Sequence, residues 1–186
     1  MNLDFRLFEL VNQFAGRNDF IDQSILLFSK YGPLLFGLLF VWMWFSKKGD
    51  RMQNRTFVLF ALTIVILTLF TNKVLEYSFF RERPFVHHSV NLLVEKSMDD
   101  PSFPSNHAAG AFAIAFAIFW KNRKLGFMVI IFALFMALSR LFVGVHYPLD
   151  VTVGMMIALV FTLLIAWNEQ KLQQPFHAIV QKLSRA

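Results

Sequence analysis

The chain has 186 residues, 56% of them hydrophobic, with 24 phenylalanines, no cysteine and a formal net charge of +6. The lack of cysteine excludes a disulfide framework and thiolate chemistry. Uncharged runs near or beyond the roughly 20 residues that cross a bilayer exclude a soluble domain. The basic excess sits mostly between those runs, where membrane orientation uses it, so it gives no argument for nucleic acid.

In chain order, Leu3, Leu7, Leu10, Val11 and Phe14 recur at helical spacing. They predict an amphipathic helix on the membrane surface within residues 1–20. The segment carries acids as well as a base and no long apolar run, unlike a cleavable signal peptide. Spans are expected at roughly 24–46, 56–78, a short 106–120, 125–144 and 148–167. Lys30 can snorkel from the first. Residues 168–186 read as a polar, partly helical tail. The fold class is an all-α transmembrane bundle of about five spans in one membrane-embedded domain, with residues 24–167 as the bundle.

Lys47, Lys48, Arg51 and Arg55 follow the first span, Lys121, Arg123 and Lys124 follow the third, and Lys171, Lys182 and Arg185 lie in the tail. With five spans these groups share one side, which the positive-inside rule makes cytoplasmic. The 79–105 loop, the longest connection, then faces outward, and long loops are often functional.

Polar residues gather at the outward ends of the spans. Lys73, Glu76, Arg81 and Arg83 end the second, Ser105, Asn106 and His107 open the third, and Ser139, Arg140, His146 and Asp150 flank the turn between the last two. Ionisable residues at such depths face a bundle interior or a polar cavity. Guanidinium forks match phosphate oxygens, and the helix start at Ser105 to His107 favours an anion. His146 and Asp150 are four apart. With a helix starting near Pro148, the carboxylate can bond one imidazole nitrogen and leave the other as a nucleophile. His107 is placed to protonate a leaving oxygen. The set describes phosphoryl transfer through a phosphohistidine, with arginines in place of a metal.

Three motifs carry a resemblance. "SRLFVGVHYPLD" (139–150) resembles the Ser-Arg, five residues, His, three residues, Asp motif of the type-2 phosphatidic acid phosphatase family. "PSNH" resembles its Pro-Ser-Gly-His motif and "RERPF" the Arg-Pro end of its first motif, and the three span residues 73–150 in the family's order. The resemblance implies a helical bundle and a metal-independent lipid phosphatase without cofactors. It implies His146 as nucleophile, Asp150 as its partner, His107 as general acid, and Arg83, Ser105 and Arg140 as phosphate ligands. Two departures stand out. Glu76 occupies the register of the family's lysine, with Lys73 and Arg81 as substitutes and Glu76 as a support for either. Asn106 replaces the usual glycine, as a residue tolerant of unusual backbone angles whose amide still binds phosphate.

With the "FPSNH" and "ERPFV" context and the small size, the chain looks most like the bacitracin-resistance branch, bacterial undecaprenyl pyrophosphate phosphatases. The implied partners are the bilayer and a membrane lipid phosphate, with no obligate protein partner. The implied location is a bacterial inner membrane, with an outward active site and a cytoplasmic C-terminus. Phosphatidylglycerophosphate or phosphatidate hydrolysis fits the same fold, and a non-catalytic anionic-lipid transporter or flippase is the reading from another class.

Other residues have simpler expectations. His87 and His88 are loop residues rather than a metal site. Asp99 and Asp100 solvate a loop or shape a turn. "AAGAFAIA" (108–115) serves close helix packing.

Overall fold

The computed structural model describes residues 3–47 and 49–185, excluding the side chains of Ser184 and Arg185. Lys48, the Arg185 side chain and the first two residues of the amphipathic segment therefore lie outside the described residues. Within these residues the chain forms eight helices and no strand: α1 (Leu3–Asn12), α2 (Asp19–Phe45), α3 (Arg51–Ser78), α4 (Pro84–His87), α5 (Asn106–Lys121), α6 (Arg123–Phe142), α7 (Pro148–Trp167) and α8 (Glu169–Arg185). The tail is thus helical over 17 residues, more than the partial helix expected of it.

Local chemistry sets the boundaries. Asn18 Oδ1 accepts from Ile21 N at 3.1 Å, and Asp50 Oδ1 accepts from Met52 N at 2.7 Å, each capping a long apolar helix. Asn122 alone separates α5 from α6; its backbone ends the first helix, and its Oδ1 accepts from Leu125 N at 3.0 Å to start the second. That tight reversal requires Gly126, because a Cβ there would lie 2.1 Å from Phe119 Cα. Pro148 opens α7, where its missing N–H costs nothing.

Helices α2, α3, α6 and α7 are long and apolar enough to cross a membrane. α5 has 16 residues, about 24 Å, and is the hub on which α2, α3, α6 and α7 pack. Ala108, Ala109, Ala113, Ala115 and Ala117 are all fully buried along it, so the small-residue run does serve close packing. Gly154 of α7 meets it, with a position for Cβ only 2.9 Å from Ser105 O. Gln53, Lys121 and Glu169 line one cavity, which puts the start of α3, the end of α5 and the start of α8 at the same end of the bundle. Large apolar side chains such as Leu34, Ile66, Phe70, Phe132, Phe135 and Leu163 are exposed on the outside, as lipid-facing residues are.

α1 follows its predicted pattern except at Val11, which is half-buried and packs inward near Leu141 and Phe142. Leu3, Leu7, Leu10 and Phe14 point outward, whereas Phe5 and Phe8 pack against Leu141 and Tyr147. Asn12 fastens its far end, donating from Nδ2 to Phe142 O and to Asn91 O, both at 2.9 Å.

Candidate active site

The turn between α6 and α7 is built to hold a buried histidine. Gly144 takes φ +88°, a conformation that side chains rarely adopt, and a Cβ there would stand 2.9 Å from Asn91 O. His146 follows it at 4% exposure. Its Nδ1 bonds Ser102 O at 2.7 Å. A carbonyl only accepts, so Nδ1 carries the proton and Nε2 keeps its lone pair.

Asp150 differs from expectation. Its Oδ2 stands 3.8 Å from His146 Nδ1, too long for a hydrogen bond. Instead Oδ2 accepts from Ser102 Oγ at 2.6 Å and from Tyr147 N at 2.7 Å, while Oδ1 accepts from Arg81 Nη1 at 2.7 Å. The carboxylate is thus linked to the imidazole through Ser102, whose carbonyl accepts from Nδ1.

Arg83 and Arg140 are both buried. Arg83 donates to Val145 O at 2.8 Å and to Asp100 O at 3.2 Å. Burial holds its pKa below the ordinary value, although it stays charged. Arg140 donates from Nη1 to Ser29 Oγ at 2.5 Å, and its buried Nε has no protein partner. Ser105, the cap residue of α5, leaves its buried Oγ equally without partner. His107, the second residue of α5, lies within electrostatic reach of Arg140, His146 and Arg83. His107, Arg83, Arg140 and His146 therefore lie at the same end of the bundle, close enough to influence one another electrostatically.

Two expectations change, for Arg81 and Asn106, while the pairing of Lys73 with Glu76 holds. Arg81, expected as a possible phosphate cation, instead bridges two carboxylates, those of Asp150 and Asp4, the second at 2.5 Å. Lys73 pairs with Glu76 at 2.9 Å, half exposed, over the Tyr77 ring, and Glu76 accordingly supports Lys73 rather than Arg81. Asn106 needs no unusual backbone angle. It is helical, no described non-glycine residue has a positive φ, and its Oδ1 accepts from the buried Asn72 Nδ2 at 3.2 Å.

Ser102, Asp4, Ser29 and Asn72 were not singled out in the sequence. They are ordinary polar residues whose partners lie up to 145 positions away. Only the proximity of Ser102 to "PSNH" was a local signal. Asp99 and Asp100 shape a turn as expected, with Asp100 N donating to Ser97 O at 3.3 Å, and the Asp100 carbonyl also holds Arg83. His87 pairs with Glu82 and His88 stacks on Phe5. Among the described residues no group of three or more His, Cys, Asp or Glu side chains is placed to hold a metal.

Beside the site runs an apolar cleft of about 400 Å³ between α2, α3 and α5. Asn106 and His107 line it together with Phe36, Gly37, Leu69 and Met136.

Helices long enough to span a membrane, with two buried arginines and a buried histidine at one end, fit a membrane-embedded enzyme that acts on an anionic group. The chain belongs to the PAP2 superfamily, whose family model matches residues 57–174, and it is a multi-pass membrane phosphatase. It is 30% identical over 184 residues to undecaprenyl-diphosphatase BcrC of Bacillus subtilis, covering 99% of this chain and 93% of that protein. Its structure is similar to the crystal structure of LpxE from Aquifex aeolicus, with TM-score 0.72 and 27% identity, over 89% of this chain and 95% of that one. It also shares its fold with a transmembrane PAP2-type phosphatidylglycerolphosphate phosphatase from Bacillus subtilis, with TM-score 0.64 and 22% identity, over 92% and 88% of the two chains.

Proposed function

We propose that the chain hydrolyses undecaprenyl diphosphate to undecaprenyl phosphate and phosphate at the outer membrane face. The observation that carries the chemistry is the His146 Nδ1 bond to Ser102 O, which leaves Nε2 with its lone pair. Nε2 attacks the terminal phosphorus, and the bond to the bridging oxygen breaks. His107 donates its proton to the leaving lipid phosphate. Water, deprotonated by His107, then attacks the phosphohistidine and the N–P bond breaks, which restores both histidines. Arg83 and Arg140 supply positive charge to the phosphoryl oxygens. Ser105 Oγ and Arg140 Nε, buried without protein partners, are two further donors for those oxygens, since such groups are costly to leave unpaired.

The substrate follows from the relatives and the cleft. A diphosphatase is the relative at 30% identity, and an apolar cleft lined by His107 gives a lipid tail a path from the side. The basic residues Lys47, Arg51, Arg55, Lys121, Arg123 and Lys124 flank helix ends at the opposite end, which supports an outward-facing site and a cytoplasmic C-terminus.

The test is phosphate release by purified protein from undecaprenyl diphosphate, phosphatidylglycerophosphate and phosphatidate, side by side. The reading expects the diphosphate to have the highest kcat/KM by at least about tenfold, a discrimination of roughly 1.4 kcal/mol. Preference for either monoester replaces the substrate, and binding without phosphate release from any of the three turns the reading toward a transporter. Rapid quenching with a terminally labelled diphosphate should give an acid-labile phosphoprotein in the wild type and none in His146→Ala.

A further inference from the structure

We propose that Asp4 and Arg81 are positioning residues for the catalytic turn, so that α1, a helix at the bilayer surface, helps to aim His146. The inference rests on the reading of His146 as nucleophile. Asp4 Oδ1 accepts from Leu149 N at 2.9 Å, and its Oδ2 accepts from Arg81 Nη2 at 2.5 Å. Arg81 Nη1 donates to Asp150 Oδ1 at 2.7 Å, and its guanidinium lies 4.0 Å from the centroid of the Tyr147 ring. The other Asp150 oxygen holds Ser102, and Ser102 O holds the imidazole. An unbroken series of contacts therefore runs from the second residue of α1 to the nucleophile.

Chemistry favours positioning over substrate binding. A planar guanidinium that gives one Nη to each of two carboxylates fixes the plane of the second. Asp150 is fully buried and cannot be oriented by solvent. Arg81 remains protonated. Burial pulls its pKa down, and the Asp4 and Asp150 carboxylates outweigh burial to raise it. α1 grips the same turn at its other end through Asn12 and Phe142 O. Its outward Leu3, Leu7 and Leu10 are the side chains that meet lipid.

The experiment compares Asp4→Asn, Arg81→Gln, their double variant, Arg6→Gln as an exposed control on α1, and His146→Ala. Steady-state kinetics use whichever of the three lipids the wild type turns over fastest, and Tm is measured in detergent. Asp4→Asn and Arg81→Gln should each lower kcat about tenfold, the rate equivalent of one charged hydrogen bond. KM should stay within about twofold. The double variant should be no slower than Arg81→Gln, because the pair acts as a unit. Arg6→Gln should match the wild type. A substrate-binding Arg81 predicts a raised KM in Arg81→Gln, and a lower KM in Asp4→Asn once its competitor is gone; either overturns the proposal. Lowered Tm with unchanged kcat overturns it too, as a purely structural tie. Should Arg81→Gln fail to fold, kcat of the isosteric Asp4→Asn decides alone. Full activity in His146→Ala removes the nucleophile reading and the proposal with it. A dead His146→Ala beside wild-type kcat in Asp4→Asn and Arg81→Gln removes the proposal only.

Discussion

Ser102 gives its hydroxyl to Asp150 at 2.6 Å and lends its carbonyl to His146 at 2.7 Å, so one residue joins two that stand 3.8 Å apart. The two halves of Ser102 are separable by mutation. Ser102→Ala keeps the carbonyl and should lower kcat by several-fold with little change in Tm. Asp150→Asn places an amide where three donors converge, from Ser102, Tyr147 and Arg81. Breaking a buried pair costs about 3–5 kcal/mol, so that variant should lose stability and activity together. Phosphate release and Tm in detergent check both. Equal losses of kcat in the two variants would mean that the hydroxyl, not the carboxylate, is the dominant support.

His146 fixes the acid side of the rate profile. Burial, the largest influence, pushes its pKa down to about 4, with Arg83 and Arg140 acting in the same direction against Asp150. The neutral imidazole is the nucleophile, so the limb of kcat/KM that His146 sets should not appear near pH 6.5, where an ordinary histidine half-titrates. It should appear only as the pH approaches about 4. The stability sign follows from the same shift. The folded state binds the proton less readily than the unfolded chain, so the contribution of His146 is complete above about pH 6.5 and shrinks as pH falls toward 4. The Tm of the wild type should therefore decline across that window, and less so in His146→Asn.

Much of this was legible in the sequence. Apolar runs of span length and their caps fix the helices, because hydrogen bonding in lipid leaves the backbone few choices. The motif residues 83, 105, 107, 140, 146 and 150 lie at one end of the bundle, where the span ends were expected to gather them. The connections between them were not legible. Asp150, four residues after His146, suggests a direct bond, but Ser102 Oγ, Tyr147 N and Arg81 Nη1 are the donors that the carboxylate accepts from. Arg81 reads as a spare cation because Asp4, its partner 77 positions away, has no motif of its own.

Gly154 tests the packing that carries Ser105 and His107. Its Cα approaches α5 so closely that a methyl group would sit 2.9 Å from Ser105 O and 3.2 Å from Ala109 Cβ. Ser105 caps and Ala109 belongs to the helix on which α2, α3, α6 and α7 all pack, which leaves little room to give. Gly154→Ala should cost about 1–3 kcal/mol as overpacking, despite the gain in helix propensity. It should also lower kcat by displacing the start of α5. A Tm equal to or above the wild type would show that the two helices separate without strain.

The cleft beside His107 separates tail recognition from chemistry. Gly37 lines it from α2, and a Cβ there meets nothing within 4 Å. A large side chain can therefore enter the cleft without moving the backbone, and replacing a helical glycine is itself favourable by up to about 1 kcal/mol. Gly37→Phe should leave Tm unchanged or higher. It should raise KM for a long-chain lipid diphosphate about tenfold, because the ring occupies apolar surface that a tail otherwise covers. KM for a short-chain isoprenyl diphosphate should stay within about twofold, since loss of uniform binding energy appears in KM while kcat is kept. Equal effects on both substrates would place the tail elsewhere, on another face of the bundle.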